Sequence, residues 1–325
     1  MSLQDKRYAI YWALMGITRP SRTREFLRAR KNIDRAHGQA SVDPVGDLGS
    51  VSRLMVLPLV DFYPGTDSLA GESGVSYLVT AGDRKILFDV GCNELNEEPS
   101  PLRRNMETLG ISIENIDAVF ISHCHLDHVG GRRNQVHKTF SISRESVDLG
   151  GIPAFVPTPM THPSAQTEFV AGPRKLGEGL ASTGPLDRAI WFMGPVAEQA
   201  LVVNVKDKGP VMIVGCGHPQ LPRLVERAEV VAGAPLYGII GGLHFPVTGS
   251  RVGKGRQNII GNGKLPWQRI TRGEAREAAG MLARLDLRLV ALSAHDSCDW
   301  TLGIFEDALG DRYRTIKVGE EIVVV

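Results

Sequence analysis

His123-Cys124-His125-Leu126-Asp127-His128-Val129-Gly130-Gly131 leaves the apolar run Ile116-Asp117-Ala118-Val119-Phe120-Ile121-Ser122, and this junction decides how the rest of the chain is read. The apolar run predicts a buried strand, and the histidine-rich segment predicts the loop at its end. Four ligand-type side chains within six residues cannot all converge on one ion, but a tight loop can divide them. His123 and His125 are expected to project toward one site, and Asp127 and His128 toward a neighbouring one. Imidazole and carboxylate both suit zinc, which keeps an open position when it is catalytic. Gly130-Gly131 lets the backbone turn sharply as it leaves the cluster. A lone histidine in such a place is ordinarily a core residue satisfied by backbone hydrogen bonds. Four ligand types at this spacing point to a metal.

Three more histidines sit at the ends of apolar runs. Val211-Met212-Ile213-Val214-Gly215-Cys216-Gly217-His218 is a strand ending in a glycine-rich turn. Ile239-Ile240-Gly241-Gly242-Leu243-His244 repeats the design, and Leu289-Val290-Ala291-Leu292-Ser293-Ala294-His295-Asp296 does so again. A site between two sheets needs ligands from several strand ends, so His218 and His295 are expected as ligands. For His244 the residues leave ligand, substrate contact and structural histidine open. Asp89, closing Ile86-Leu87-Phe88, is expected to accept a hydrogen bond from a metal-bound histidine and fix its tautomer.

The 325 residues are 42% hydrophobic and 22% charged, enough for one large core. The formal charge of +1 gives no field for nucleic acid, and no nucleic-acid partner is expected. Cys92, Cys124, Cys216 and Cys298 form no CxxC pair, which suits a reducing compartment and places the protein in the cytoplasm. Tyr8–Ile17 is an apolar run of ten residues followed by Arg19, Arg22, Arg24, Arg28, Arg30, Lys31 and Arg35. A membrane span needs about 20 apolar residues, so this is not one. Peripheral membrane contact is the sharper reading. The shortness of the run and Pro20 favour a helix packed on the domain with a solvated basic face.

Residues 1–50 read as a helical, basic extension with a linker, and residues 51–325 as one catalytic domain. Strands are expected at Arg53–Val60, Val75–Thr80 and Lys85–Asp89, then at Ala200–Val205, Val211–Val214, Leu236–Ile240 and Arg288–Ser293. Helices are expected at Leu102–Leu109, Gln220–Ala228 and Arg272–Leu285. A C-terminal strand pair, Arg314–Val318 with Glu321–Val325, closes the chain. Meanders followed by strand–helix alternation, twice over, predict two sheets face to face with helices outside. Arg132–Arg174 reads as one long connection, with Phe155–Pro163 as an apolar pocket wall.

Together and in this order, these residues resemble the metallo-β-lactamase superfamily, from about Leu54 to the C-terminus. Phe88-Asp89-Val90-Gly91 is similar to its FDTG-type strand end, and Ser122–Gly131 to its SHxHxDHxGG loop. The resemblance implies an α/β (α+β) four-layer αββα sandwich. It also implies two divalent ions, Zn²⁺ foremost with Mn²⁺ or Fe²⁺ as alternatives, one on His123 and His125 and one on Asp127 and His128, with His295 as the last histidine. The segments Gly215–His218, Gly241–Phe245 and His295–Ser297, with Glu198–Leu201, are closer to a branch containing dihydropterin–ribofuranosylaminobenzene phosphate synthase-like proteins. Three departures stand out. Cys216 occupies the place of a metal-bridging Asp, Asp296 follows His295 where the branch has Cys, and Ser73 stands where it often has His.

The expected chemistry is hydrolysis by a metal-activated hydroxide formed near pH ~7. Asp127 would orient it, and Asp296 or His244 would deliver a proton to the leaving group. Arg251, Lys254, Arg256 and Lys264, in a glycine-rich stretch after His244, read either as a basic lid for an anionic small-molecule substrate or as a solvated loop. A phosphodiester is expected ahead of a lactone or carboxylic ester. A synthase on a phosphorylated pterin-like compound and a non-catalytic metal-containing binding protein are the competing readings.

Overall fold

The computed structural model describes residues 19–39, 42–248, 251 and 261–325. The run Tyr8–Ile17 and the cations Lys254 and Arg256 lie outside them. The first sheet has seven strands: β1 (Leu54–Val60), β2 (Ser76–Ala81), β3 (Arg84–Phe88), β4 (Ala118–Phe120), β5 (Pro153–Val156), β6 (Gln166–Phe169) and β16 (Ile322–Val324). They lie in the order β16-β1-β2-β3-β4-β5-β6. The second sheet also has seven: β7 (Arg174–Gly177), β8 (Leu180–Ser182), β11 (Leu201–Val205), β12 (Gly209–Val214), β13 (Gly238–Gly241), β14 (Leu289–Leu292) and β15 (Tyr313–Thr315). Their order is β15-β14-β13-β12-β11-β8-β7. A hairpin of β9 (Leu186–Ile190) and β10 (Gly194–Glu198) stands apart.

The strand alternation sets the layers. In β12, Val211 and Ile213 pack between the sheets, while Met212 and Val214 face the helices. In β14, Leu289 and Ala291 point inward, and Val290 and Leu292 outward. The first sheet answers with Leu54, Val56, Val79, Phe88 and Phe120 on its inner face. Period-two burial on both faces is what a sheet covered on both sides requires. Helices α1 (Pro20–Gln39), α2 (Pro101–Thr108) and α3 (Arg132–His137) precede the second sheet, and α4 (Leu221–Ala232), α5 (Arg272–Arg284) and α6 (Asp299–Leu309) run through it. Leu102 and Met106 of α2 cover the outer face of the first sheet. Leu224, Val225, Leu282 and Phe305 of α4, α5 and α6 cover that of the second. The result is the four-layer αββα sandwich expected from the sequence.

Strands β12, β13, β14 and β15 are mutually parallel, as are β3, β4, β5 and β6. Parallel neighbours require crossover connections, which helices supply for every pair except β5 and β6, joined by the loop 157–165. In consequence β12, β13 and β14 end at one edge of the second sheet, and β3 and β4 end side by side in the first. Every strand-end histidine leaves from one of these parallel ends.

Two expectations need correction. The connection Arg132–Arg174 contains α3, β5 and β6, so it is not a single loop. Gln166-Thr167-Glu168-Phe169 is half exposed and mostly polar, so no apolar run marks it as a strand. Phe155 lies in the core between the sheets, Met160 lies under the outer face of the first sheet, and His162 stacks on Phe140 at 4.4 Å. Hence the apolar residues Phe155 and Met160 are core rather than a pocket wall, while Pro159, Thr161 and Pro163 are exposed. The C-terminal strands do not pair with each other. β15 joins β14, whereas β16 joins β1. Val318 N donates to Tyr63 O and Gly319 N to Pro58 O, and these bonds carry the chain from one sheet to the other.

Phe26, Ala29 and Ile33 of α1 pack with Trp191 beside the hairpin, leaving Arg24, Arg28, Lys31 and Arg35 exposed. All four cysteines are free. No helix among the described residues is long and apolar enough to cross a membrane.

Candidate metal centre

The histidine loop is fixed by its own backbone and by Asp89. His128 N donates to His125 O at 3.0 Å and Gly131 N to Leu126 O at 2.7 Å, closing the turn. Gly130 has φ +79°, and a Cβ there would meet Ser141 O at 2.0 Å, so the turn has room for glycine only. Asp89 is fully buried in a left-handed conformation (φ 56°), which a non-glycine residue adopts at a cost. Its carboxylate accepts from Ser122 N at 2.7 Å, from the Ser122 hydroxyl at 2.6 Å and from His128 Nδ1 at 2.7 Å. With its proton given to Asp89, Ser122 Oγ accepts from His123 Nδ1 at 3.0 Å. Both rings are thereby held with Nε2 turned away from Asp89.

The second sheet repeats this logic with different residues. The Ser293 hydroxyl donates to Asp61 Oδ2 at 2.6 Å and accepts from His295 Nδ1 at 2.6 Å. Asp61, at the end of β1, also accepts from Tyr77 Oη at 2.8 Å and Phe62 N at 2.7 Å. Glu198, at the end of β10, accepts from Cys216 N, Gly217 N and His218 N at 2.9, 2.8 and 2.8 Å. One buried carboxylate thus holds the whole Cys216–His218 turn. His218 Nδ1 donates to Gly261 O at 3.1 Å, and its Nε2 faces His125 Nδ1 at 3.1 Å.

Cys216 is the meeting point. Its Sγ lies 3.1 Å from His128 Nε2 and 3.2 Å from His295 Nε2. Three sets of ligand atoms each fall within 4.8 Å of one another: Asp127, His128, Cys216 and His295; His123, Cys216 and His218; and Cys216, His244 and Asp296. Cys216 belongs to all three.

The charges of these groups fit a cation. Burial, followed by the fields of neighbouring imidazoles, pushes His123, His218 and His295 well below the ordinary histidine value. Burial takes His125 down to about 4. These rings are neutral at pH 7 and offer lone pairs. His123 Nε2 is buried with no hydrogen-bond partner. Burial, then the nearby carboxylates, pushes the Cys216 thiol far up. Burial lowers His128, but Asp127 and Asp89 outweigh it and raise the ring to about 9. A divalent ion would take the place of those protons and bind the deprotonated forms. The residues present fit a metal.

Comparison with known proteins agrees. Residues 69–133, which include Asp89 and the histidine loop, match the metallo-β-lactamase superfamily model. The structure superposes on that of Tm1679, described as a metal-dependent hydrolase of the β-lactamase superfamily, with a TM-score of 0.58 and 17% identity. That superposition covers 83% of this chain and 98% of that one. The chain thus shares the fold of Tm1679, and its segment 69–133 matches the superfamily model. It is 21% identical over 240 residues to 7,8-dihydropterin-6-methyl-4-(beta-D-ribofuranosyl)-aminobenzene-5'-phosphate synthase of Methanocaldococcus jannaschii, covering 61% of this chain and 80% of the relative. A stretch of 58 residues is 40% identical to Ribonuclease TTHA0252 of Thermus thermophilus, covering 18% of this chain and 12% of the relative.

Within this fold the remaining candidates take definite places. Asp127 is 14% exposed at its side chain, 3.7 Å from His128 Nε2. Asp296 is fully buried and accepts from His244 N at 2.8 Å and from the Ser297 hydroxyl at 2.9 Å. His244 has φ 57° and its ring centroid is 4.9 Å from that of His218. A cavity of about 330 Å³ opens beside His218 and His244, with Leu221, Phe245, Ala278 and Met281 in its wall. Lys264 lines it too, but its ammonium is bound to Glu274 at 2.6 Å. Arg251 lies over the Phe62 ring at 4.4 Å, donates to Ser297 O at 2.8 Å and pairs with Asp299. Of the four cations expected in a basic lid, the two described are therefore each engaged by a carboxylate.

Asp61, Glu198, Ser122 and Ser293 carry no role in the sequence reading. Asp61 and Glu198 share with Asp89 the position that singled it out, an acid closing a strand, and all three are wholly buried. Burial raises Asp61 to about 6 and Glu198 to about 7, against the pull of their hydrogen bonds.

Proposed function

We propose that the protein is a metal-dependent hydrolase of ester-type bonds in small molecules, with a phosphodiester ahead of a lactone or carboxylic ester. The observation that carries this reading is the convergence of three ligand sets on Cys216 beside an open cavity. Two divalent ions would be held, one by His123, His125 and His218 and one by Asp127, His128 and His295, with Cys216 within reach of both sets. When bound, such ions supply Lewis acidity and make water a nucleophile near neutral pH.

The chain's own residues do the rest. Asp89, Asp61 and Glu198 fix the rings and the Cys216 turn, so little reorganisation is needed as charge develops. Asp127, the partly exposed carboxylate of the cluster, faces the reacting centre and orients the attacking water. His244 lines the cavity, and it or the buried Asp296 that holds its backbone N–H would serve the leaving group. The cavity lining mixes Lys264 and Arg284 with Glu274 and Glu277. That balance suits a singly charged diester or a neutral ester better than a doubly charged monoester.

The test is turnover of a chromogenic aryl phosphodiester, an aryl carboxylic ester and a lactone, before and after chelation. Loss on chelation and recovery with Zn²⁺ or Mn²⁺ is the expected result, and full activity in metal-free His125→Ala would overturn the reading. The M. jannaschii relative supports a second reading, a synthase acting on a phosphorylated pterin-like compound. Mass analysis after incubation with such a compound would separate the two. Tight ligand retention without turnover would indicate a binding protein.

A further inference from the structure

A second cleft, of about 450 Å³, lies between α1, the β9–β10 hairpin and the segment after Asn262. Arg30, Arg188, Lys264 and Arg269 line it with Gln268 and Thr271, and no described carboxylate does. Lys264 is held by Glu274. Arg188 decides what the cleft is for. It is only 8% exposed, its Nη1 donates to the neutral Gln220 Oε1 at 3.2 Å, and its buried Nε has no hydrogen-bond partner. Asp34, the carboxylate whose field reaches it, is bonded instead to Arg223 at 2.7 Å. The surroundings are built to keep the guanidinium there. Gly263 has φ +63°, and a Cβ at that position would come within 2.3 Å of Arg188 Nε. Only a glycine backbone can lie so close over the group.

A buried cation without a counter-charge is strongly destabilising. Proteins retain such a group where a ligand supplies the missing charge. We propose that this cleft is an anion-binding subsite that takes a phosphate-type group between Arg30, Arg188 and Arg269. Several planar guanidinium groups lining one cleft, from α1, β9 and the loop, suit a tetrahedral oxyanion. The cleft shares Lys264 with the cavity beside His218 and His244. A phosphorylated organic molecule can therefore span both, with its distal phosphate here and its scissile bond at the metal centre. Anion capture stands independently of the hydrolytic reading; only its use as a substrate handle rests on it.

The test is a calorimetric titration of inorganic phosphate into the full chain. Saturable binding is expected in the parent and in His125→Ala, whose metal centre is impaired. Arg30→Gln and Arg269→Gln should each weaken it about tenfold, the effect of losing one charge-assisted contact. Arg188→Met also removes a buried side chain, so the other two arginines carry the test. Absence of saturable binding overturns the proposal, as does binding that vanishes in His125→Ala but survives in Arg30→Gln and Arg269→Gln. Two aryl diesters differing only in a distal phosphate identify the source. A tenfold narrowing of their kcat/KM ratio in Arg30→Gln marks a substrate handle. An unchanged ratio, with phosphate altering the rate on both, marks an effector site. If neither diester is turned over, the hydrolytic reading fails while the titration still decides the anion site.

Discussion

The two sheets contribute to the candidate metal centre in opposite ways. The first supplies His123, His125, Asp127 and His128 from one loop whose turn is closed by its own backbone bonds. The second supplies Cys216, His218, His244 and His295 from three separate strand ends, which meet because β12, β13 and β14 are parallel. The loop needs one outside carboxylate, Asp89, for two rings. The scattered set needs Glu198 and Asp61, each from a different strand. A contiguous motif is thus locally self-supporting, and a dispersed one depends on long-range carboxylates.

The comparison can be broken at several depths. The largest effect is expected from His125→Ala or exhaustive chelation, which should lower kcat by at least about a thousandfold because the nucleophile and the charge-stabilising centre are lost together. Steady-state kinetics with metal analysis would check it, and an unchanged metal content would contradict the assignment of His125. Cys216→Ser comes next. Since Cys216 joins all three ligand sets, loss of about one equivalent of metal and a fall in kcat of about a hundredfold are expected. Retention of both ions would show that the sulfur is only a neighbour.

Glu198→Gln probes the dispersed half without touching a ligand. An amide would turn an N–H toward one of the three backbone donors, costing about 1–3 kcal/mol of stability. Metal affinity should also fall about 10- to 100-fold, read by competition with a chromogenic chelator. The smallest effect is expected from Ser122→Ala and Ser293→Ala, which cut one relay in each sheet. If the loop is self-supporting, Ser293→Ala should weaken metal binding about tenfold and Ser122→Ala by less. The reverse order would break the contrast between the sheets.

The same contrast explains what can be read from the sequence. His123–His128 and Asp89 are legible because their spacing is short and their apolar strands are unbroken. His218 and His295 are legible as strand-end repeats. Glu198 is visible only as part of a resembling segment, and Asp61 not at all, since an acid after an apolar strand resembles an ordinary turn cap. The short, half-polar β6 leaves no periodic trace. Arg188 reads as any charged residue of a hairpin, because the Gly263 backbone that covers it is distant in sequence.

By itself, then, the sequence determined the sandwich layering and the ligand loop, because period-two burial and a tight turn are local consequences of residue order. The tertiary structure alone decided that Cys216 is the hub, that Asp61 reaches His295 through Ser293, and that Arg188 is buried beside a cationic cleft. Those outcomes depend on parallel strand ends and crossing connections that bring together residues as far apart as Asp61 and His295. No local pattern encodes such distances.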